Sequence, residues 1–143
     1  MSEFDAESYR LDDQVGFLLR KAYQRHLAIC SEMVGGTLTA VQFSTLYRLA
    51  SEPGPVSQNA LGRMVAMDAA TTKGVVSRLK ERGLIRSRSD ANDKRRHLLS
   101  TTREGRALLA EMLPRMKTIT QQTLAPLQPY EQDMLIALLH RIS

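Results

Sequence analysis

The segment from Ser57 to Thr102 most constrains the fold of this chain, because three patterns follow one another in it without a gap. A short amphipathic stretch, "QNALGRMVAM", is followed by a break at Met67-Asp68 and by a second helical stretch, "AATTKGVVSRLKERG", which ends at Gly83. "LIRSRS" then alternates apolar and basic residues as a strand does, and "RHLLST" can return beside it after the turn "DANDKR". This order of helix, tight turn, helix and two-stranded hairpin predicts a winged helix-turn-helix.

Helical patterns also flank this segment on its N-terminal side. Apolar residues at spacings of three and four predict an amphipathic helix from Leu11 to Met33, which Gly35-Gly36 ends. Thr39 and Gln42 form a possible capping box for a second helix, which ends at Pro53-Gly54.

On the C-terminal side, a long helix is expected to begin at Thr101/Thr102, with Pro114 bending or interrupting it. A final amphipathic helix follows Pro126 and Pro129. The chain is therefore predicted to be mainly α with a small β-hairpin wing. We divide it into an N-terminal helical part (1–38), a winged helix-turn-helix lobe (39–102) and C-terminal helices (103–143).

The positive charge is concentrated in the middle of the chain. The net charge is +5, yet residues 39–100 hold 11 Lys and Arg against 5 Asp and Glu, while the remaining residues hold 9 against 10. A basic segment within a near-neutral chain is typical of a nucleic-acid interface. These cations could instead be ordinary solvated surface residues. Their position directly after a helix-turn-helix pattern favours a nucleic-acid interface.

Other function classes find little support in the sequence. The three histidines (His26, His97 and His140) lack metal-ligand spacing, and no phosphate-binding loop or nucleophile motif is present, so we expect no enzyme, no metal and no cofactor. The acidic start "MSEFDAESYR" and the short apolar runs predict no signal peptide and no membrane partner. With a single cysteine, Cys30, a cytoplasmic protein is expected.

The expected partner is double-stranded DNA. The second helix of the motif must offer short polar and basic side chains to the major groove, and the wing must bring cations to the phosphates or the minor groove. Asp90 and Asp93 are expected to shape the wing turn. The candidate DNA-binding residues are Ser57, Asn59, Thr71, Thr72, Lys73, Ser77, Arg78, Arg86, Arg88, Lys94, Arg95 and Arg96.

The stretch "LGRMVAMDAATTKGVVSRLKERGLIRSRSDANDKRRHLLSTTREG" resembles the core of MarR-type transcription factors. Ala91 and Lys94 depart mildly from the family pattern, which often has proline and arginine there. The residues that match the pattern are Leu79, Gly83, Leu84 and Ile85, then Asp90, Asp93 and Arg95, then Leu99, Ser100, Thr102 and Gly105.

The resemblance implies an obligate homodimer that binds a pseudo-palindrome with half-sites about 10 bp apart. It makes 1–38 a dimerisation and ligand-pocket helix and 103–143 the C-terminal dimerisation helices. An apolar stripe on the last helix also needs a covering surface, although the core of the same chain could provide it. The residues assigned to dimerisation are Leu11, Leu135, Leu138, Leu139 and Ile142.

The resemblance further implies a pocket for a small anionic or aromatic effector, such as an aromatic acid or an aryl-CoA thioester, whose binding releases a repressor from DNA. The candidate ligand-binding residues are Arg20, Tyr23, Arg25, His26 and Phe43. His26 could instead be a core histidine with a hydrogen-bond partner. Two alternative functions are a redox-sensing regulator that acts through Cys30 and an architectural protein that binds DNA without sequence preference.

Overall fold

Six α-helices and three short β-strands make up the regular structure in the computed structural model, which describes residues 3–143. This confirms the mainly α fold with a small antiparallel sheet. The chain forms two compact units, residues 3–33 with Lys117–Ser143, and Val34–Met116. Within the described part of the chain, no helix is both long and apolar enough to cross a bilayer.

The unit formed by both ends of the chain contains α1 (Val15–Val34), the end of α5 (Arg103–Leu124) and α6 (Pro129–Ile142). The predicted helix start at Leu11 is wrong, because Leu11–Asp13 form a separate 3-10 turn. Gln14 has extended backbone angles after that turn, and its carbonyl accepts the first helical hydrogen bond from the N–H of Leu18 at 2.9 Å. Pro114 was predicted to bend or interrupt its helix; it does not interrupt it, since α5 runs through it.

The Val34–Met116 unit holds the predicted helix-turn-helix and wing. Both hydrogen bonds of the expected capping box at the start of α2 are present, from Gln42 N–H to Thr39 Oγ1 at 3.1 Å and from Thr39 N–H to Gln42 Oε1 at 3.0 Å. Besides the first part of α5, its elements are α2 (Ala40–Ser51), β1 (Val56–Ser57), α3 (Gln58–Met64), α4 (Ala69–Glu81), β2 (Ile85–Ser89) and β3 (His97–Thr101).

The sheet has three strands rather than the two of the predicted hairpin. Val56 pairs with Leu99, so β1 lies on one side of β3 while β2 pairs antiparallel with the other side. The sequence did not indicate β1, because a strand of two residues is too short to show alternation. Its pairing attaches the wing to the segment that leads into α3.

The C-terminus of α4 forms a Schellman motif, as the glycine at residue 83 predicted. Gly83 has a φ of 71°. Its N–H donates to Lys80 O at 2.9 Å, and the N–H of Leu84 donates to Leu79 O at 3.0 Å. The turn fixes the direction in which the chain leaves α4 and enters β2.

Leucines from several elements form the core of this unit. Leu46, Leu61 and Leu79 are completely buried, and Leu38 and Leu99 nearly so. Burial of each such side chain contributes about 1.5–3 kcal/mol to folding. The core therefore holds α2, α3, α4 and the sheet in fixed positions, which leaves the outer side of α4 and the wing available for binding.

Candidate nucleic-acid interface

One side of α4 is exposed and carries four of the residues predicted to meet DNA. Thr71, Lys73, Ser77 and Arg78 are exposed, whereas Val76 and Leu79 are buried in the core, as helical periodicity requires. The exposed side thus combines two short hydroxylated side chains with two cations. This combination suits a helix that enters a major groove.

Thr72 does not belong to this exposed side. Its relative exposure is 1%, and its hydroxyl donates to Asp68 O at 2.7 Å. An added Cβ at Gly62 of α3 would lie only 2.6 Å from Thr72 Oγ1. The prediction that Thr72 contacts DNA is therefore wrong: this residue packs α4 against α3.

Ser57 is buried too, and its hydroxyl begins α3 by accepting a hydrogen bond from the Ala60 N–H at 3.3 Å. The sequence predicted this cap. Ser57 keeps 9% of its surface exposed and lines a cleft with Arg95 and Arg96, so its contact with DNA stays a prediction. Asn59, two residues later, is exposed and keeps its predicted place on the surface.

Asp68 caps the N-terminus of α4. Its Oδ1 accepts a hydrogen bond from the Thr71 N–H at 2.7 Å. This bond, together with a side-chain hydrogen bond from Thr71, holds the pKa of the Asp68 carboxyl below its usual range. The lowered pKa favours the ionised carboxylate, which is the form that caps the N-terminus of α4.

The wing turn is built by the two aspartates that the sequence assigned to it. Asp90 Oδ1 accepts from the Asn92 N–H and Asp93 Oδ1 from the Arg95 N–H, both at 3.0 Å. The backbone closes the turn with the Asp90 N–H bound to Arg96 O at 2.8 Å. Since the carboxylates bind backbone N–H groups, they leave the basic side chains of the turn without counter-ions.

None of the candidate DNA-binding cations forms an ion pair with residues 3–143; the ion pair found in this range joins Arg10 and Asp13. Arg86 Nε makes one side-chain hydrogen bond, to Ser100 Oγ at 3.3 Å. Unpaired guanidinium and ammonium groups are free to exchange solvent counter-ions for phosphates. The cations concerned are Lys73, Arg78, Arg86, Arg88, Lys94, Arg95 and Arg96.

Two surface clefts bring wing cations together with residues from elsewhere in this unit. A cleft of about 190 Å³ is lined by Ser57, Gln58, Asn59, Arg95, Arg96 and His97. A second cleft, of about 470 Å³, is lined by Pro55, Arg86, Ser87, Arg88 and Ser100. The first shows that the start of α3 and the tip of the wing form one surface. The sequence analysis did not include two residues of this cleft, Gln58, which directly follows the predicted cap Ser57, and His97 at the start of β3.

The predicted ligand-binding residues are only partly grouped. Tyr23 and His26 stack with ring centroids 6.2 Å apart on α1, near exposed Arg20, whereas Phe43 lies in the other unit, buried and stacked with Tyr47. Arg25 is engaged within the protein, because it donates to Thr123 O at 2.6 Å and to Gln122 O at 2.9 Å. Its guanidinium thus binds carbonyls at the end of α5.

His26 has protein partners on both ring nitrogens. Thr123 Oγ1 already donates to Ile119 O at 2.9 Å, so it accepts from His26 Nδ1 at 2.8 Å. His26 Nε2 then faces Cys30 Sγ at 3.5 Å as an acceptor for the thiol proton. These bonds favour the interpretation of His26 as a structural histidine that joins α1 to α5.

Cys30 is 3% exposed, and burial raises the pKa of its thiol. A buried thiol with a raised pKa is a poor nucleophile, which disfavours the redox alternative. Among residues 3–143, no three His, Cys, Asp or Glu side chains cluster closely enough to hold a metal ion.

The residues assigned to dimerisation are exposed in the single chain. Leu138 is 47% exposed, and α6 buries none of its residues. An apolar helix surface of this kind is costly to leave in water. The other exposed members of the set are Leu11, Leu135, Leu139 and Ile142.

Comparison with known proteins identifies several relatives. The model for the MarR family matches residues 37–96. The HTH-type transcriptional repressor NicR of Pseudomonas putida is 39% identical over 139 residues, covering 96% of this chain and 87% of NicR. A crystal structure of a probable transcriptional regulator from Pseudomonas aeruginosa is 50% identical, with a TM-score of 0.87 over 94% of this chain and 100% of that one. BpsR of Bordetella bronchiseptica, whose DNA binding is regulated by 6-hydroxynicotinic acid, is 41% identical, with a TM-score of 0.87 over 94% of this chain and 96% of BpsR.

Proposed function

Because this chain belongs to the MarR family of transcriptional regulators, we propose that it is a dimeric repressor that binds a pseudo-palindromic operator and is released by a small aromatic acid. The observation that supports DNA binding most directly is the set of unpaired cations on α4 and the wing of one compact unit. Its relatives are transcriptional regulators, which fits a binding protein rather than an enzyme.

Two elements divide the recognition of DNA in this proposal. α4 enters the major groove, where Thr71 and Ser77 reach base edges while Lys73 and Arg78 bind bases or phosphates. The wing places Arg95 at the minor groove, with Lys94, Arg96, Arg86 and Arg88 along the backbone. The hydrogen bonds of Asp90 and Asp93 support this role, because they bind the backbone N–H groups of the wing turn, including that of Arg95.

We further propose that two copies associate through the apolar surface of α6 and through Leu11. The exposed leucines of α6 support this, since a second copy would bury them. Dimerisation would present two copies of α4 to the two half-sites of a pseudo-palindrome.

The proposed effector is an aromatic acid or its CoA thioester. Support comes from BpsR, which 6-hydroxynicotinic acid regulates, and from the exposed cation Arg20 beside Tyr23 on α1. The acid releases DNA if it binds better to a conformation in which the two DNA-binding units are wrongly spaced for the operator. We place this regulation in the cytoplasm.

Replacement of Arg95 by alanine tests the DNA-binding surface. We expect Arg95→Ala to weaken operator binding about tenfold or more and to make its salt dependence shallower, because one phosphate or minor-groove contact per subunit is lost. Arg115→Ala removes another exposed arginine, on α5, and should leave binding unchanged. Normal operator binding by Arg95→Ala would overturn the assignment of the wing.

A further inference from the structure

Three glycines of the Val34–Met116 unit, Gly62, Gly83 and Gly105, have a reason within the protein. A Cβ at Gly62 would crowd Thr72 Oγ1 at 2.6 Å, and one at Gly105 would overlap the carbonyl oxygen of Leu84. Gly83 has a positive φ of 71°, which other residues adopt with strain. Each of these glycines is therefore explained by the fold itself.

Gly74 has no such reason. It lies in the interior of α4 and is exposed, its φ is not positive, and a Cβ built on it meets no heavy atom within 4 Å. Alanine is more stable than glycine at an exposed helix-interior position, because glycine loses more backbone freedom on folding. For the stability of the fold alone, alanine would therefore be the better residue at position 74.

The neighbours of Gly74 on the helix surface are the candidate DNA-binding residues. Thr71 and Ser77 are three residues away on either side, and Arg78 is four residues away, so all three share its side of α4. They are exposed, and Arg78 has no ion-pair partner within residues 3–143. Gly74, which has no side chain, therefore lies at the centre of the exposed side of α4.

We infer that Gly74 is the point where the base edges of the operator approach α4 most closely, and that the missing side chain makes Gly74 a determinant of operator specificity. This inference rests on the proposed function. A methyl group there would project about 1.5 Å further into the groove and hold the helix away from the bases. Thr71 and Ser77 would then lose their base contacts, while the sequence-independent phosphate contacts of the wing would persist.

The experiment compares Gly74→Ala with the wild type in three measurements. The probes are a duplex that the wild-type protein selects from a random-sequence pool and a scrambled duplex of equal length, and thermal unfolding is recorded without DNA. Gly16→Ala is the matched control, because Gly16 is an exposed glycine of α1 with no heavy atom within 4 Å of its Cβ. It adds the same methyl group to a helix outside the Val34–Met116 unit.

For Gly74→Ala we expect unfolding at a temperature a few degrees higher, binding to the selected duplex weakened at least about tenfold, and binding to the scrambled duplex within about twofold. Gly16→Ala should keep both affinities. Unchanged binding of Gly74→Ala to the selected duplex, an equal loss on both duplexes, or earlier unfolding would each overturn the inference. A wild-type protein that selects no duplex would overturn the proposed function as well, which distinguishes the two failures.

Discussion

The hydroxyl of Thr102 donates a hydrogen bond to the carbonyl oxygen of Gly83 at 2.6 Å, and this contact closes the base of the wing. The N–H of Thr102 donates to Leu84 O at 3.0 Å, and the N–H of Gly105 donates to the Thr102 hydroxyl oxygen at 3.1 Å. One threonine thus joins the end of α4 to the start of α5. The close approach of Gly105 to Leu84 completes this junction.

Replacement of Thr102 by valine should destabilise the protein by about 1–2 kcal/mol, because both a helix cap and a bond to Gly83 O are lost at nearly constant volume. The measurement is urea unfolding followed by circular dichroism. Thr120→Val is the control, since Thr120 is an exposed residue of α5 outside this junction. Equal stability of the Thr102→Val variant and the wild type would show that the junction does not depend on this hydroxyl.

The cap of α4 predicts a pH dependence of stability. The pKa of Asp68 is lowered in the folded protein, so its ionised form stabilises α4 at pH values above the unfolded pKa of about 3.9. This stabilisation is lost as the pH falls through the lowered folded pKa. The measurement is the difference in unfolding free energy between the wild type and Asp68→Asn, which keeps a capping residue without the charge.

In that comparison, the advantage of the wild type should be constant near neutral pH and should shrink progressively below about pH 4. A difference that stays constant down to the most acidic pH at which both proteins fold would contradict the role of the Asp68 charge.

Much of the DNA-binding unit could be predicted from the sequence because its signals are local. The Thr39 capping box, the Ser57 cap, the Gly83 turn and the aspartates of the wing each depend on residues a few positions apart. Contacts between distant segments could not be predicted in this way. The pairing of Val56 with Leu99 and the packing of Thr72 against Gly62 depend on three-dimensional proximity that no periodicity encodes.

The same distinction applies to the candidate ligand-binding residues. The sequence placed Arg25 and His26 among them because they lie near other cations on α1. Their partners, at residues 122 and 123, are almost a hundred positions away. Only the fold shows that these side chains already have hydrogen-bond partners, whereas the exposed Arg20 forms no hydrogen bond or ion pair within residues 3–143.

The apolar surface of α6 should hold the dimer together. We expect Leu138→Asp to convert the protein to a folded monomer, because the interface would have to bury an unpaired carboxylate. Tyr47→Asp is a matched control, since Tyr47 is 46% exposed and Leu138 is 47% exposed. Sedimentation velocity should show a dimer for the wild type and for the control. A Leu138→Asp protein that remains dimeric would place the interface elsewhere.

The effector should be recognised through its carboxylate. We expect 6-hydroxynicotinic acid to release the protein from its operator, whereas 6-hydroxynicotinamide, which lacks the negative charge, should not release it. Fluorescence anisotropy of a labelled operator measures both titrations. Arg20→Ala should require a higher concentration of the acid while binding the operator normally in its absence. Equal effects of acid and amide, or no release by either, would contradict an aromatic-acid effector.

The ratio of the protein's affinities for operator and random DNA is the most direct test of whether it recognises a DNA sequence. The operator probe is the duplex that the wild-type protein selects from a random pool, and both affinities are measured at several salt concentrations by fluorescence anisotropy. We expect the selected duplex to bind at least about 10³ times more tightly than a scrambled one near physiological salt. A ratio close to one at every salt concentration would contradict a sequence-specific repressor and would indicate an architectural DNA-binding protein instead.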